Sequence, residues 1–171
     1  MYQRLFKHIK KILMIRVDVI IKDKSWNRYL KKPEKYFNKR LGLINKKITY
    51  FKKKKFNFSI MLAGNFETKR LNNYFRKKNK TTDVLSFPYN HIDEQRNLIK
   101  KKNKLYLGDV ILNLYKIKKN EKESFYDNLD KIWIHGLLHL LGHAHEKNKD
   151  YKKMNKEEKK FFSVVTRLND K

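Results

Sequence analysis

Hydrophobic and polar positions along the chain follow two patterns, and each pattern predicts one kind of element. Alternating apolar and polar residues, with β-branched and aromatic side chains prominent, are typical of strands. Residues 14–21 show this alternation, and residues 56–62, 82–88 and 105–113 are predicted as further strands, the third of these four closed by a proline. Apolar residues spaced three and four apart predict helices, and these lie at residues 26–47, 65–78, 124–141 and 150–168. The polar stretch at residues 91–104 is expected to be a surface excursion.

Two of the predicted helices have recognisable starting residues. Pro33 is expected near the start of the first helix, where the missing backbone N–H of proline is tolerated. Asn65 is expected to cap the second helix, because its short side chain can accept a hydrogen bond from the first turn. The buried stripe of that helix would be Leu71, Tyr74 and Phe75.

The alternation of strands and helices indicates a single domain of the α/β or α+β class. We expect a mixed sheet of about four strands with about five helices. A chain of 171 residues can form one hydrophobic core, and no internal repeat or linker is visible. Residues 1–13 are interpreted as a basic N-terminal extension or a start assigned too early, and residues 14–171 as the domain. No signal peptide or membrane-spanning stretch is recognised, so no membrane partner is expected.

Composition changes this picture in two ways. The chain has no cysteine, so disulfides are excluded and a metal site would use His, Asp or Glu. The formal net charge of +27, from 44 Lys and Arg against 17 Asp and Glu, suits a polyanionic partner such as RNA. An AT-rich genome would also produce a chain rich in Lys, Asn, Ile and Tyr. The charge supports a nucleic-acid partner, and genome composition is a second source of the lysines.

The candidate chemistry lies in one stretch, residues 132–145, which contains four of the six histidines. His135 and His139 are four residues apart, so a helix places them on one face, with the apolar residues around them facing a core. Gly142 is a natural helix end, after which the chain can turn and bring His145 toward the two helical imidazoles. Three imidazoles with a fourth position open to water form a catalytic zinc site, so we expect one Zn²⁺ per chain.

Two alternatives depend on the neighbours of these histidines. If the helix continued through Gly142, His143 would follow His139 at helical spacing and compete for the metal. We expect the helix to end there and His145 to be the third ligand. The spacing also matches metallopeptidase helices, in which a glutamate after the first histidine is the general base. Gly136 stands at that position, so the site resembles a peptidase site without its proton acceptor.

Four blocks of the sequence together resemble the YbeY family of bacterial endoribonucleases, which are rRNA maturation factors. The blocks are residues 71–76 (LNNYFR), 82–88 (TDVLSFP), 107–110 (LGDV) and 135–145, which contains HGLLHLLG and the last histidine of the motif. They occur in the order found in the family, and the resemblance covers residues 14–168.

The resemblance implies a cytoplasmic, zinc-dependent endoribonuclease specific for single-stranded RNA, acting in 16S rRNA 3′-end maturation and late ribosome quality control. Matched residue by residue, His135, His139 and His145 are the implied zinc ligands, and Arg76 is the implied catalytic residue. The implied partners are ribosomal RNA and the small ribosomal subunit, with ribosomal proteins and a ribosome-assembly GTPase as further candidates. No small-molecule cofactor is expected.

The chain departs from the family pattern just before the third ligand. Ala144 stands where the family usually has aspartate, which removes a carboxylate able to orient an imidazole. Two other functions remain open at this point. One is a metallopeptidase that lacks its glutamate base, and the other is a non-enzymatic rRNA-binding assembly factor with structural zinc. The sequence does not identify the group that accepts the proton from the attacking nucleophile.

Overall fold

A four-stranded mixed sheet is the framework of the computed structural model, which describes residues 15–48, 51, 53–117, 123–144 and 148–166. The strands are β1 (Arg16–Ile21), β2 (Lys55–Ala63), β3 (Val84–Pro88) and β4 (Lys104–Asn113). Their order across the sheet is β1-β2-β4-β3. The first three strands of that order are parallel, whereas β3 is an antiparallel edge strand. The predicted N-terminal extension, residues 1–13, lies outside the described residues.

Within the described residues, five α-helices accompany the sheet. They are α1 (Pro33–Lys47), α2 (Asn65–Arg76), α3 (Ile92–Lys101), α4 (Phe125–Leu140) and α5 (Asn148–Thr166). The first predicted helix divides into a short 3₁₀ helix, Lys24–Arg28, and α1, which begins at its proline as expected. The predicted α+β domain with a mixed four-stranded sheet is confirmed. None of the helices in the described ranges combines the length and apolar character needed to cross a bilayer.

The larger hydrophobic cluster lies on one face of the sheet and is closed by α1, α4 and α5. Alternate side chains of a strand point to the same face of a sheet. The alternating residues of β2 that enter this cluster are Phe56, Phe58, Ile60 and Leu62. The side chains of α4 that are completely buried in it are Leu129, Trp133, Ile134, Leu137, Leu138 and Leu140. The helix with the predicted metal ligands is therefore anchored in the core along the face predicted to be buried.

A buried ion pair joins α1 to α4. Arg40 Nε donates to both carboxylate oxygens of Asp130, at 2.6 and 2.7 Å, and Asp130 is fully buried. Asp130 Oδ1 also accepts hydrogen bonds from Tyr36 Oη at 2.9 Å and from Trp133 Nε1 at 2.8 Å. A buried carboxylate is costly unless it is paired and hydrogen-bonded. Because all of these bonds require one relative position of the two helices, the network restricts how α4 lies against α1.

The stretch predicted as a surface excursion forms α3, so that prediction is wrong. Gln95 of α3 is fully buried. Its side-chain amide donates to the carbonyl oxygens of Leu107 in β4 and Leu140 in α4, both at 2.9 Å. An amide that satisfies two buried carbonyl groups stabilises the packing of α3. A polar residue makes this contact, so the pattern of apolar positions did not predict it.

The start and the buried face of α2 also differ from the prediction. The N-cap is Gly64, whereas Asn65 is the first helical residue. Tyr74 and Phe75, predicted to be buried, are 69% and 57% exposed. The cluster that α2 covers, on the opposite face of the sheet, is too small to bury the whole predicted stripe. Its buried residues are Ala63, Leu85 and Ile111, with Met61, Leu71 and Phe87 packed against them.

α4 lies so close to the sheet at Gly136 that a side chain does not fit there. A Cβ atom on Gly136 would lie 2.7 Å from Val110 Cγ1 in β4 and 3.2 Å from Ser86 Oγ in β3. Gly42 in α1 is the opposite case, because a Cβ atom there would meet nothing within 4 Å. The two helical glycines therefore occupy different steric environments, and only the one in α4 is required by packing.

Alanine at these two glycines is expected to have opposite effects on stability. Gly136→Ala should lower the free energy of unfolding by about 1–3 kcal/mol, because the stiff Val110 side chain forces the helix to move. Gly42→Ala should raise it by up to about 1 kcal/mol, because alanine favours a helix more than glycine does. Urea unfolding followed by circular dichroism measures both changes. A Gly136→Ala variant as stable as the original protein would contradict the close contact.

Candidate metal centre and adjoining cleft

His135 and His139 lie one turn apart on α4, on the side away from its buried face. Their Nε2 atoms are 3.0 Å apart and their rings are nearly perpendicular, at 81°. The helix that carries them begins at the cap residue Ser124, whose Oγ accepts a hydrogen bond from the Asp127 N–H at 3.1 Å. The prediction that helical spacing brings these two imidazoles together is confirmed.

The other ring nitrogen of each histidine contacts a hydrogen-bond acceptor. His135 Nδ1 lies 2.6 Å from Glu158 Oε1 on α5, and His139 Nδ1 lies 3.0 Å from the carbonyl oxygen of His143. A carbonyl oxygen and a carboxylate can only accept a hydrogen bond, so each Nδ1 carries the proton and donates. In the neutral rings, the lone pairs therefore lie on the two Nε2 atoms that face each other.

This pair of nitrogens fits a divalent metal ion. The 3.0 Å between the Nε2 atoms is close to the roughly 3.3 Å expected for two nitrogens at tetrahedral positions about 2.0 to 2.1 Å from zinc. Metal-binding histidines usually donate the other ring N–H to a carboxylate or a carbonyl, which fixes the tautomer. His135 donates its Nδ1–H to a carboxylate and His139 donates its Nδ1–H to a carbonyl oxygen, so both rings have this arrangement.

The end of α4 is a Schellman motif centred on Gly142, which has a φ of 83°. The Gly142 N–H donates to the His139 carbonyl and the His143 N–H to the Leu138 carbonyl, both at 2.9 Å. Glycine adopts this left-handed conformation without the steric cost that a Cβ atom would impose. The predicted helix end is confirmed, and His143 does not follow His139 on the helix.

His143 lines a different cavity from the one that His135 borders. That cavity is lined by residues of α3, α4 and α5, including Ile99, Leu138 and Phe161. Burial lowers the pKa of His143 below its usual value. In this arrangement, His143 contributes its backbone carbonyl to the pair rather than its imidazole.

The predicted third ligand, His145, lies outside the described residues. Within the described residues, no group of three or more His, Cys, Asp or Glu side chains could hold a metal ion. The pair formed by His135 and His139 is therefore the part of the predicted centre that the structure describes, and ligation by His145 remains a prediction.

A cleft with a volume of about 410 Å³ adjoins His135. Its apolar wall is formed by Val84, Ile132, Ile134 and Phe162. Its polar wall includes Glu158, the partner of His135, and Lys131, whose Nζ donates to Glu123 Oε1 and lies 5.3 Å from the Phe162 ring centroid. The volume falls in the range of roughly 300–1,000 Å³ that is typical of ligand sites. His135 thus borders a space large enough for part of a substrate.

Arg76, the predicted catalytic residue, is the last residue of α2 and is exposed. Within the described part of the chain, its guanidinium has no hydrogen bond or ion pair. The segment after it leads in seven residues to Asp83, which lines the cleft. A short connection therefore links Arg76 to the cleft, but no hydrogen bond joins it to either histidine of the pair.

The sequence did not predict the role of Glu158. It lies in the run Glu157-Glu158-Lys159-Lys160, which is indistinguishable from an ordinary charged helix surface. Ala144 was expected to remove one carboxylate able to orient an imidazole. The structure places a carboxylate from α5 against His135 instead, 23 residues further along the chain.

The chain matches the model of the protein family described as Endoribonuclease YbeY over residues 20–166. It is 41% identical over 155 residues to an Endoribonuclease YbeY of Pelagibacter ubique, and the match covers 89% of this chain and 97% of the relative. It is 35% identical over 139 residues to an Endoribonuclease YbeY of a Wolbachia species, and that match covers 77% of this chain and 83% of the relative. The solution structure of TM1509 from Thermotoga maritima is similar with a TM-score of 0.54 at 25% identity, over 90% of this chain and 89% of that one. The resemblance found in the sequence is confirmed.

Neutralising Glu158 is expected to weaken zinc binding. Glu158→Gln should reduce zinc affinity by about 10- to 100-fold, because the His135 ring loses the carboxylate that orients it and raises its basicity. Competition with a chromophoric chelator measures the affinity. Glu157→Gln is the matched control, since Glu157 is the preceding residue and its carboxylate accepts from Lys160 at 3.4 Å. Equal affinities in the two variants would show that Glu158 has no specific effect on the metal.

The two histidines after the helix end are expected to differ in their importance. His145→Ala should lose bound zinc, because it removes a predicted ligand. His143→Ala should keep most of it, because alanine retains the backbone carbonyl that holds His139. Metal analysis of both purified variants makes the comparison. Loss of zinc in His143→Ala alone would exclude the predicted ligand set.

Proposed function

This chain belongs to the YbeY family of endoribonucleases, and we propose that it cleaves single-stranded RNA in a zinc-dependent reaction. Its proposed cellular roles are maturation of the 3′ end of 16S rRNA and late ribosome quality control. One observation supports zinc dependence more than any other. The Nε2 atoms of His135 and His139 converge while both Nδ1 atoms face hydrogen-bond acceptors.

The proposed zinc ligands are His135, His139 and His145. When bound, zinc lowers the pKa of a coordinated water and polarises a phosphoryl oxygen. The Glu158 carboxylate accepts a hydrogen bond from the Nδ1–H of His135, and the carbonyl oxygen of residue 143 accepts one from the Nδ1–H of His139, so both rings keep their orientation. Arg76 is proposed to stabilise the negative charge on the phosphoryl oxygens in the transition state.

Ribosomal RNA and the small ribosomal subunit are the proposed partners, at a cytoplasmic location. The net charge of +27 supports a polyanionic partner, because lysine and arginine release counterions from a phosphate backbone on binding. Ribosomal proteins and a ribosome-assembly GTPase are further proposed partners.

Two other functions are less well supported. A metallopeptidase would need a base after the first ligand, but a side chain at Gly136 would meet Val110 and Ser86. A non-enzymatic assembly factor with structural zinc would normally use four protein ligands, whereas the predicted set has three and leaves one position open for chemistry. Family membership also favours cleavage of RNA.

Cleavage of RNA but not of casein by untagged protein separates the three functions. We expect about one zinc per chain, cleavage of single-stranded RNA, loss of activity on chelation and recovery when zinc is restored. His139→Ala should lose both zinc and cleavage. Undiminished RNA cleavage without metal would exclude zinc catalysis, and cleavage of casein alone would identify a peptidase.

A second arm of this experiment tests Arg76. Arg76→Ala should reduce cleavage by about 100-fold or more without changing the melting temperature, because charge stabilisation in the transition state is lost. Arg76→Lys should recover only part of the rate, since lysine lacks the planar fork of donors. Arg70→Ala on the same helix is the control, because Arg70 pairs with Glu67 on the surface. Full activity of Arg76→Ala would reduce Arg76 to an ordinary surface cation.

A further inference from the structure

Two cavities on the surface of α5 share two lining residues and therefore adjoin each other. The cleft beside His135 and a second, more open cavity are both lined by Asn155 and Lys159. The second cavity is also lined by Tyr151, Lys152 and Lys156. A path therefore leads from the candidate metal centre along α5.

The lysines of this path lie on one face of the helix. Lys152, Lys156 and Lys159 are separated by four and three residues, which places their side chains in a row. All three are exposed, and none has an ion pair with a described residue. The two carboxylates that lie between Lys156 and Lys159 in the sequence have other partners, since Glu157 accepts from Lys160 and Glu158 contacts His135. The row therefore presents positive charge that α5 itself does not neutralise.

The cleft at the end of this row differs in character, because much of its wall is apolar. Phe162 offers an aromatic ring, and Asn155 offers an amide with both a donor and an acceptor. Lys131 adds a cation beside the Phe162 ring. An apolar space with an aromatic wall, an amide and nearby ammonium groups matches the parts of a nucleotide, which has a flat base and a negatively charged phosphate.

We propose that this cleft and the lysine row of α5 are the binding surface for the single-stranded RNA substrate. One base next to the scissile phosphate enters the cleft against Phe162, and the following phosphates contact Lys159, Lys156 and Lys152. Tyr151, which is 57% exposed beside the row, provides a further ring on which a base can stack. This inference rests on the proposed function and specifies where the substrate binds.

The salt dependence of cleavage tests the lysine row. The triple variant Lys152→Ala, Lys156→Ala, Lys159→Ala should lower kcat/KM about tenfold or more at low salt, with kcat at saturating RNA nearly unchanged. Three lost phosphate contacts should also reduce the slope of log(kcat/KM) against log salt by about two. The control is Lys31→Ala, Lys35→Ala, Lys39→Ala, which removes three exposed lysines lining a different cavity.

Abasic substitution tests the cleft. In a short single-stranded RNA, replacing one nucleotide at a time by an abasic residue should lower kcat/KM about tenfold at one position near the cleavage site. That loss should shrink in Phe162→Leu, which keeps an apolar side chain but removes the ring. Phe66→Leu, at a phenylalanine of α2 that is 80% exposed, should behave like the original protein.

The outcomes separate this inference from the proposed function. If the protein cleaves RNA but both lysine triples change the salt slope equally, the row on α5 is not the phosphate path. If the loss of kcat/KM at every abasic position is the same in Phe162→Leu as in the original protein, the cleft does not hold a base. If the original protein cleaves no RNA, the proposed function itself fails, and the binding surface fails with it.

Discussion

The close approach of α4 to the sheet at Gly136 is the constraint on which the candidate site depends. A Cβ atom there would lie 2.7 Å from Val110 Cγ1, so the helix can rest on β3 and β4 only if this residue has no side chain. The contact fixes the rotation of α4 about its axis and therefore the direction of His135 and His139. The same lack of space explains why the glutamate of peptidase-type helices is missing. Helix packing and the absence of that base thus have one physical cause.

The orientation of the imidazoles depends on two segments that follow α4. Gly142 ends the helix in a Schellman motif, which brings the carbonyl oxygen of His143 within 3.0 Å of His139 Nδ1. α5 then returns across α4 and places Glu158 against His135. On the other side of α4, the buried Arg40–Asp130 pair restricts its position against α1. A site of two residues is therefore held by contacts from several elements, as preorganised metal sites require.

α5 connects the candidate metal centre to the rest of the surface. Of its neighbouring charged residues, Glu158 turns toward the histidine pair, while Lys159 lines both the cleft and the adjoining cavity. A net charge of +27 by itself gives a general attraction to nucleic acid. The lysines beside the cleft differ from the other lysines in their position. Only cations close to the candidate site can hold a substrate in a fixed position at that site.

The sequence by itself determined the α+β class, the succession of strands and most helices along the chain, the span of α4, its end at Gly142, the family and the pairing of His135 with His139. These features follow from local periodicity, turn chemistry and spacing, which depend on neighbours along the chain. The tertiary structure decided that residues 91–104 form a helix and that Tyr74 and Phe75 are exposed. It also supplied Glu158 to His135 and brought the cleft beside α5. The physical reason is the same in each case, because these features depend on contacts between groups or surfaces that are far apart in the sequence. An example is the Gln95 amide, which donates to two distant carbonyl groups. Contacts of this kind leave no periodic signal in the sequence.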